Sequence, residues 1–393
     1  QYYQNGFNEA RHVLQAVTDA TADGPKGINS PKVIETAYQE AYQATLDAQN
    51  AIKNGSNTDT VTDSDPNNPH DNVYKEAYKL AFDSNQASYM SGAKLFAQGV
   101  SSPNQLDMQT SGYNKANDGY HQAQQYFASL DSSLSINQKI DELNNQFNGL
   151  PDIVKTNKAY AVGYQSYIGS LKGYQAAIDN ANNSDEKNKY AATDNGDEVS
   201  YAETLREGAA YNGAVDAFND YKAHDVASEP KHKDDPTYVA AYNQAATDVA
   251  NKVQSGADSF LSNANYTINA NPQGIFDQAQ AKGATDASDG FNADQTLSQT
   301  DLSAKSKAFQ AGYNAKTQAL NGLAASSGNA RPTDSTAQVA YDAAKDARAA
   351  LANNSVITDF SNKSEVYKFI YESVVSDYQK GMNKFKAADN SAN

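Results

Sequence analysis

In KAYAVGYQSYIGSLKGYQAA (residues 158–177), Tyr160, Tyr164, Tyr167, Leu171 and Tyr174, with Ile178 just beyond, fall at i, i+4, i+7, i+11, i+14 and i+18. That period gathers them on one face of a helix, whereas a strand would scatter them over both faces of a sheet. Pro151 lies upstream, where a first-turn proline is tolerated. The glycines within the stretch each cost a helix about 1 kcal/mol relative to Ala. Close approach of a neighbouring helix is the expected compensation, with a Tyr ring lying over each missing Cβ.

The pattern recurs. Tyr38 and Tyr42 follow Pro31, Tyr74 and Tyr78 follow Pro69, and Tyr238 and Tyr242 follow Pro236; Tyr367, Tyr371 and Tyr378 mark a last copy. Two stretches align without gaps. Residues 73–99 match 237–263 at Tyr74/Tyr238, Ala77/Ala241, Tyr78/Tyr242 and Phe96/Phe260, and Ser91-Gly92-Ala93 matches Ser255-Gly256-Ala257. Residues 158–176 match 307–325 at Gly163/Gly312, Tyr164/Tyr313, Leu171/Leu320 and Gly173/Gly322. Aromatic pairs thus start about every 30–45 residues, the range of paired-helix solenoids and tandem small bundles.

The expected class is all-α: an elongated array of antiparallel helices in tandem repeats, of solenoid or small-bundle type. Helices are predicted near 2–22, 31–54, 72–98, 104–129, 135–148, 151–181, 197–222, 236–261, 301–325, 332–352 and 362–386. Segments 54–72, 224–236, 262–274 and 283–295 are rich in Gly, Pro, Asn and Asp and read as turns. The 223–236 segment reads as a hinge between an N-terminal array (1–222) and a C-terminal one (237–393).

Leu, Ile, Val and Phe make up only about 16% of the chain, below the level of about 20% associated with disorder. The 26 tyrosines and the abundant alanines supply the core instead. Repeat comparison sorts the tyrosines. Tyr160 aligns with Phe309, Tyr174 with Leu323 and Tyr89 with Val253, so these positions read as packing. Tyr167 aligns with Lys316, a residue that favours solvent, which makes Tyr167 the first candidate for ligand contact, with Tyr120 and Tyr126 of DGYHQAQQYF beside it.

A net charge of −16 argues against nucleic acid or an anionic membrane as a generic partner. No apolar run reaches the ~20 residues needed to cross a bilayer. The chain has no Cys, which excludes disulfides and thiolate chemistry. Phosphate-loop, zinc-helix and nucleophile-elbow motifs are missing. No cofactor and no metal is expected. His224 and His232 read as solvated loop residues rather than a metal pair, and TDNGDE (193–198) and DASDGFNAD (285–293) as turns rather than loose calcium loops, with Asp197 starting the next helix. An α/α-barrel polysaccharide lyase would need arginines and stacking indoles, but the chain has four Arg and no Trp.

Helices of this composition with Tyr-x-x-Ala-Tyr or Tyr-x-x-Gly-Tyr, at 38–42, 74–78, 160–164, 238–242 and (with Phe first) 309–313, resemble helical repeat regions of large secreted or cell-wall-associated proteins of lactobacilli. The resemblance implies an extracellular location and a non-catalytic role as structural spacer or as adhesion and aggregation module. The partners it implies are surface glycans, surface proteins or further copies of the chain. A start at Gln1 fits a processed or excised segment. The alternative reading is a dedicated glycan- or protein-binding module that uses exposed tyrosines.

Overall fold

A computed structural model of the chain describes residues 11, 14–20, 36–61, 72–102, 107–226, 228–294, 296–328 and 330–390. The helix expected from residue 2, Pro31, Pro69, His12 and His70 lie mostly or wholly outside these residues. The described residues form an all-α array, without a strand among them. In chain order the helices are α1 (Thr36–Lys53), α2 (Asn72–Ala97), α3 (Asp107–Ser129), α4 (Ile136–Asn148), α5 (Asp152–Lys155), α6 (Lys158–Asp179) and α7 (Ser184–Lys189). They continue with α8 (Glu198–His224), α9 (Pro236–Ser262), α10 (Ile275–Asn292), α11 (Gln299–Ser303), α12 (Lys307–Ala325), α13 (Ser335–Ala352) and α14 (Glu365–Asn390).

The chain divides into two compact units. One comprises residues 1–177, 183–213 and 230–241; the other comprises 178–182, 214–229 and 242–393. In the first, Tyr38, Tyr42, Tyr78, Phe82, Tyr89 and Phe96 pack with alanines of α1 to α3. A second cluster there joins Ile140 and Leu143 of α4 to Tyr160, Tyr164, Tyr167 and Ile168 of α6. In the other unit, Phe291, Phe360, Val366, Tyr367, Ile370 and Tyr371 close on Ala340, Ala343, Ala344 and Ala347 of α13.

The glycines explain how so thin a core holds. A Cβ on Gly92 of α2 would strike the carbonyl oxygen of Gln109, and one on Gly112 of α3 would strike that of Tyr89. One turn pair further on, Gly119 of α3 meets Tyr160 and Gly163 of α6 meets Ala116 in the same reciprocal way. The other unit repeats the arrangement: Gly256 against Gln280, Gly283 against Val253, Gly290 against Phe309 and Gly312 against Ala287. The repeated element is therefore a helix triplet, α2-α3-α6 in one copy and α9-α10-α12 in the other. The neighbour over each missing Cβ is a backbone carbonyl rather than the tyrosine ring expected from sequence. Contact at this distance brings whole backbones together, which compensates for the scarcity of large aliphatic side chains.

Tyrosine hydroxyls tie the helices laterally. Tyr38 donates to Asp19 (2.5 Å), Tyr74 to Asp47 (2.5 Å), Tyr242 to Asp220 (2.6 Å) and Tyr367 to Asp346 (2.8 Å). Other hydroxyls accept from loop backbone: Tyr211 from Asn183 N–H, Tyr313 from Leu297 N–H and Tyr371 from Ile357 N–H. Each buried phenol thus satisfies a polar group that its own packing would strand.

Three sequence expectations are corrected. The helix predicted over 151–181 breaks at Thr156 and Asn157. Asn157 is 3% exposed, caps Tyr160 N–H through Oδ1 and donates through Nδ2 to the Lys53 carbonyl oxygen, so its side chain replaces the intrahelical bonds. The helix predicted over 301–325 is likewise two, α11 and α12, with Ser306 capping Phe309 N–H. The 283–295 segment, expected as a turn, is helical through Asn292. Ala284, Ala287 and Phe291 form its buried stripe, and Gly283 and Gly290 are its contacts with neighbouring backbones. A calcium loop over 285–293 is excluded by that helix. At 193–198 the turn stands: Gly196 has φ +89°, its N–H bonds Asp194, and Asp197 accepts from Ser200 N–H at the start of α8.

Candidate functional site

Tyr167 is not on display. It is 8% exposed, with Tyr120 (5.2 Å between centroids) and Phe127 (5.8 Å) set edge-on to its ring. Burial, with Tyr120 nearby, raises its phenol above the usual range. The comparison with Lys316 misled for a structural reason. α3 runs to Ser129, so Phe127 reaches over the Tyr167 position, whereas its counterpart α10 ends at Asn292. There Lys316 lays its stem along the gap and donates to the Ala293 carbonyl oxygen (2.8 Å), as a snorkelling lysine does at a helix C-terminus. Tyr120 is half-buried, edge-on also to Phe96, and Tyr126 packs half-buried on the α4–α6 cluster. The three candidate tyrosines therefore converge, but as parts of the core.

The one residue that sequence reading passed over is Arg206, which it counted only among scarce arginines. It stands at i+4 from the buried Ala202 and i−4 from the buried Ala210, an apolar-stripe position where a charge needs a built partner set. At 2% exposure, its Nη1 donates to Asp235 (3.1 Å) and Thr237 Oγ1 (2.6 Å), and its Nη2 to the Phe96 carbonyl oxygen (2.5 Å). Its Nε is buried with no partner among the described residues. Burial lowers the pKa of the guanidinium and Asp235 opposes that shift. Asp235 also caps α9, accepting from the Thr237 and Tyr238 N–H groups. One ion pair thereby joins the end of α2, the middle of α8 and the start of α9.

Beside this pair opens a cleft of about 620 Å³, lined by Gln98, Gly99, Tyr190, His232 and Asp235 with Lys231 and Lys233 at its edge. Tyr190 and His232 lie 5.1 Å apart, and Tyr238 is edge-on to His232 at 4.8 Å. The Tyr190 phenol is pushed up to about 12, first by burial and then by Asp235. At neutral pH it therefore keeps its proton. Asp235 is committed to Arg206 and to the helix cap. These groups make a polar, aromatic-walled clamp suited to holding chain segments or a polar ligand. His232 thus belongs to an aromatic cluster. Among the described residues no three His, Cys, Asp or Glu side chains converge to hold a metal ion, and no helix is long and apolar enough to cross a membrane.

No family model, curated protein or solved structure matches the chain.

Proposed function

We propose that the chain is a non-catalytic helical-repeat module of a bacterial surface protein, acting outside the cell as structural spacer or adhesion and aggregation module. The observation that supports this most is the duplicated helix triplet with its four reciprocal glycine contacts in each unit's helices. Duplication preserves the residues that set backbone contact, Gly92/Gly256 and Gly163/Gly312, together with the aromatic matches Tyr74/Tyr238, Tyr78/Tyr242, Tyr164/Tyr313 and Phe96/Phe260. A repeated active site would hold polar side chains constant and let packing drift. Here packing is constant and polar surface drifts, which is the signature of a scaffold whose repeats present a surface several times. The direct test is labelling of intact, unpermeabilised producing cells with antibodies to the chain, together with aggregation of those cells after deletion of its coding segment. Surface labelling and reduced aggregation or adhesion are expected. Label only after permeabilisation overturns the reading.

A second reading rests on the Tyr190–His232 cleft, which has the size and aromatic wall of a small-ligand site. A glycan array probed with the intact chain and with His232→Ala distinguishes it. Saturable binding lost in that variant favours a dedicated ligand site over a scaffold alone.

A further inference from the structure

Helix α14 carries the same stripe as α2 and α9. Tyr367, Tyr371, Val374, Tyr378, Met382 and Phe385 keep the spacing of Tyr238, Tyr242, Ala245, Val249, Val253 and Gly256. In α9 the last part of the stripe is covered: Val249 is 0% and Val253 4% exposed, and α10 lies on Val253 and Gly256 through Gly283 and Gln280. In α14 it is bare. Tyr378 is 52%, Met382 40% and Phe385 68% exposed, and among the described residues no other part of the chain lies within 4 Å of where a Gly381 Cβ would stand. Three large apolar side chains on one exposed helix face call for a partner, since isolated ones need no explanation but a contiguous patch does.

The residue at the Gly256 register decides what kind of helix fits. Gly92 and Gly256 admit a backbone carbonyl, but Phe385 fills that space with a ring, so a glycine-bearing helix such as α3 or α10 cannot close on α14. The stripe needs a partner at ordinary interhelical distance, with large side chains of its own. We propose that this partner is α14 of a second copy of the chain, packed antiparallel about a twofold axis between Gly381 and Met382. In that register Tyr378 faces the partner's Phe385, and Met382 enters the space over the partner's Gly381. Asp377, which pairs in its own chain with the exposed Lys380 at 3.5 Å, lies on the same flank of the stripe as Lys384; an antiparallel twofold brings like flanks together, so it faces the partner's Lys384. Parallel pairing instead opposes unlike flanks, which takes Asp377 away from the partner's Lys384, and sets Gly381 beside its own copy, so the gap there stays empty. Charge and shape therefore both select the antiparallel dimer, whose contact is isologous, as most homodimer contacts are. The interface is short and the association correspondingly weak.

Sedimentation equilibrium of the full chain tests this, and Phe385→Lys and Met382→Lys are the variants. The average mass is expected to rise with concentration from 42.2 kDa toward twice that value, and either variant is expected to weaken dimerisation at least tenfold while circular dichroism stays unchanged. Orientation is read by cysteine cross-linking, which is clean because the chain has no Cys. A mixture of Tyr378→Cys and Phe385→Cys copies should cross-link to each other faster than either does to itself. Faster self-linking overturns the antiparallel register. A chain that stays monomeric at millimolar concentration overturns the dimer. If Phe385→Cys in such a monomer also resists thiol reagents, an intrachain segment covers the stripe; if it labels freely, nothing does.

Discussion

Gly163 of α6 lies so close to Ala116 of α3 that a single added methyl would overlap the Ala116 carbonyl oxygen. The contact is answered three residues away, where Gly119 of α3 lies against the Tyr160 carbonyl oxygen. Such reciprocal pairs fix both the distance between two helices and their register. They also explain why Gly is kept at positions where Ala is the better helix former.

Opposite signs follow for Gly163→Ala from the two effects. Helix propensity alone favours the alanine by about 1 kcal/mol. Overlap with backbone, which cannot swing aside as a side chain can, costs about 1–3 kcal/mol in forced separation of the helices. The overlap should win, and Gly163→Ala and Gly312→Ala should each lower the urea midpoint. A rise in midpoint would show that the helices are not held at this distance.

Arg206 offers a second test. Arg206→Ala leaves the half-buried Asp235 without its cation and removes the ties to Thr237 and the Phe96 carbonyl oxygen. Loss of one partner of a buried pair typically costs about 3–5 kcal/mol. Arg206→Lys keeps the charge but presents a single ammonium to three separated acceptors, and should recover only part of that stability. Denaturant unfolding of both variants checks the order. Equal stability of Arg206→Lys and the parent chain would mean that charge alone, not the fork, holds the three segments.

Much of this fold was legible from spacing. Tyr160, Tyr164 and Tyr174 repeat with a helical period, and the Gly163/Gly312 and Gly92/Gly256 matches identified true structural counterparts. What failed did so for local reasons. DASDGF reads as a turn because Asp, Ser and Gly favour turns in isolation. In the folded chain Ala287 and Phe291 are buried, and Gly290 admits the Phe309 carbonyl oxygen, so tertiary contact overrides propensity. Asn157 was invisible as a helix break because its cap depends on Lys53, some hundred positions away. Tyr167 was misplaced because repeat comparison assumed equal helix lengths. Arg206 carried a readable signal, a lone arginine in phase with Ala202 and Ala210, but its partner Asp235 sits in a segment that sequence marks only as a turn.

The burial of Tyr167 changes what its removal can report. Tyr167→Ala empties a site walled by Tyr120 and Phe127, and truncation of a buried aromatic typically costs about 3–5 kcal/mol. The variant should unfold at markedly lower denaturant, and any loss of binding it shows should track loss of helicity. If the variant keeps its midpoint, the ring does not contribute to the core.

Alkaline pH tests the whole set of buried phenols. Burial is the first cause of raised values at Tyr74, Tyr89, Tyr164, Tyr167, Tyr190 and Tyr367, and Tyr89 and Tyr190 are each pushed up to about 12. In the unfolded chain all of them titrate near 10. Below about pH 10 both states keep these protons, so the phenols leave stability independent of pH. Above it the unfolded chain loses protons that the folded chain retains, and stability falls until the folded values are passed. Each such tyrosine contributes a slope of up to about 1.4 kcal/mol per pH unit. Several acting together exhaust a typical reserve of about 5–15 kcal/mol within one or two units. Tyrosinate absorbance followed alongside circular dichroism should show two phases, exposed phenols first and the buried set in step with helix loss. A single smooth titration of all 26 tyrosines with the helices intact would mean that the rings are open to solvent.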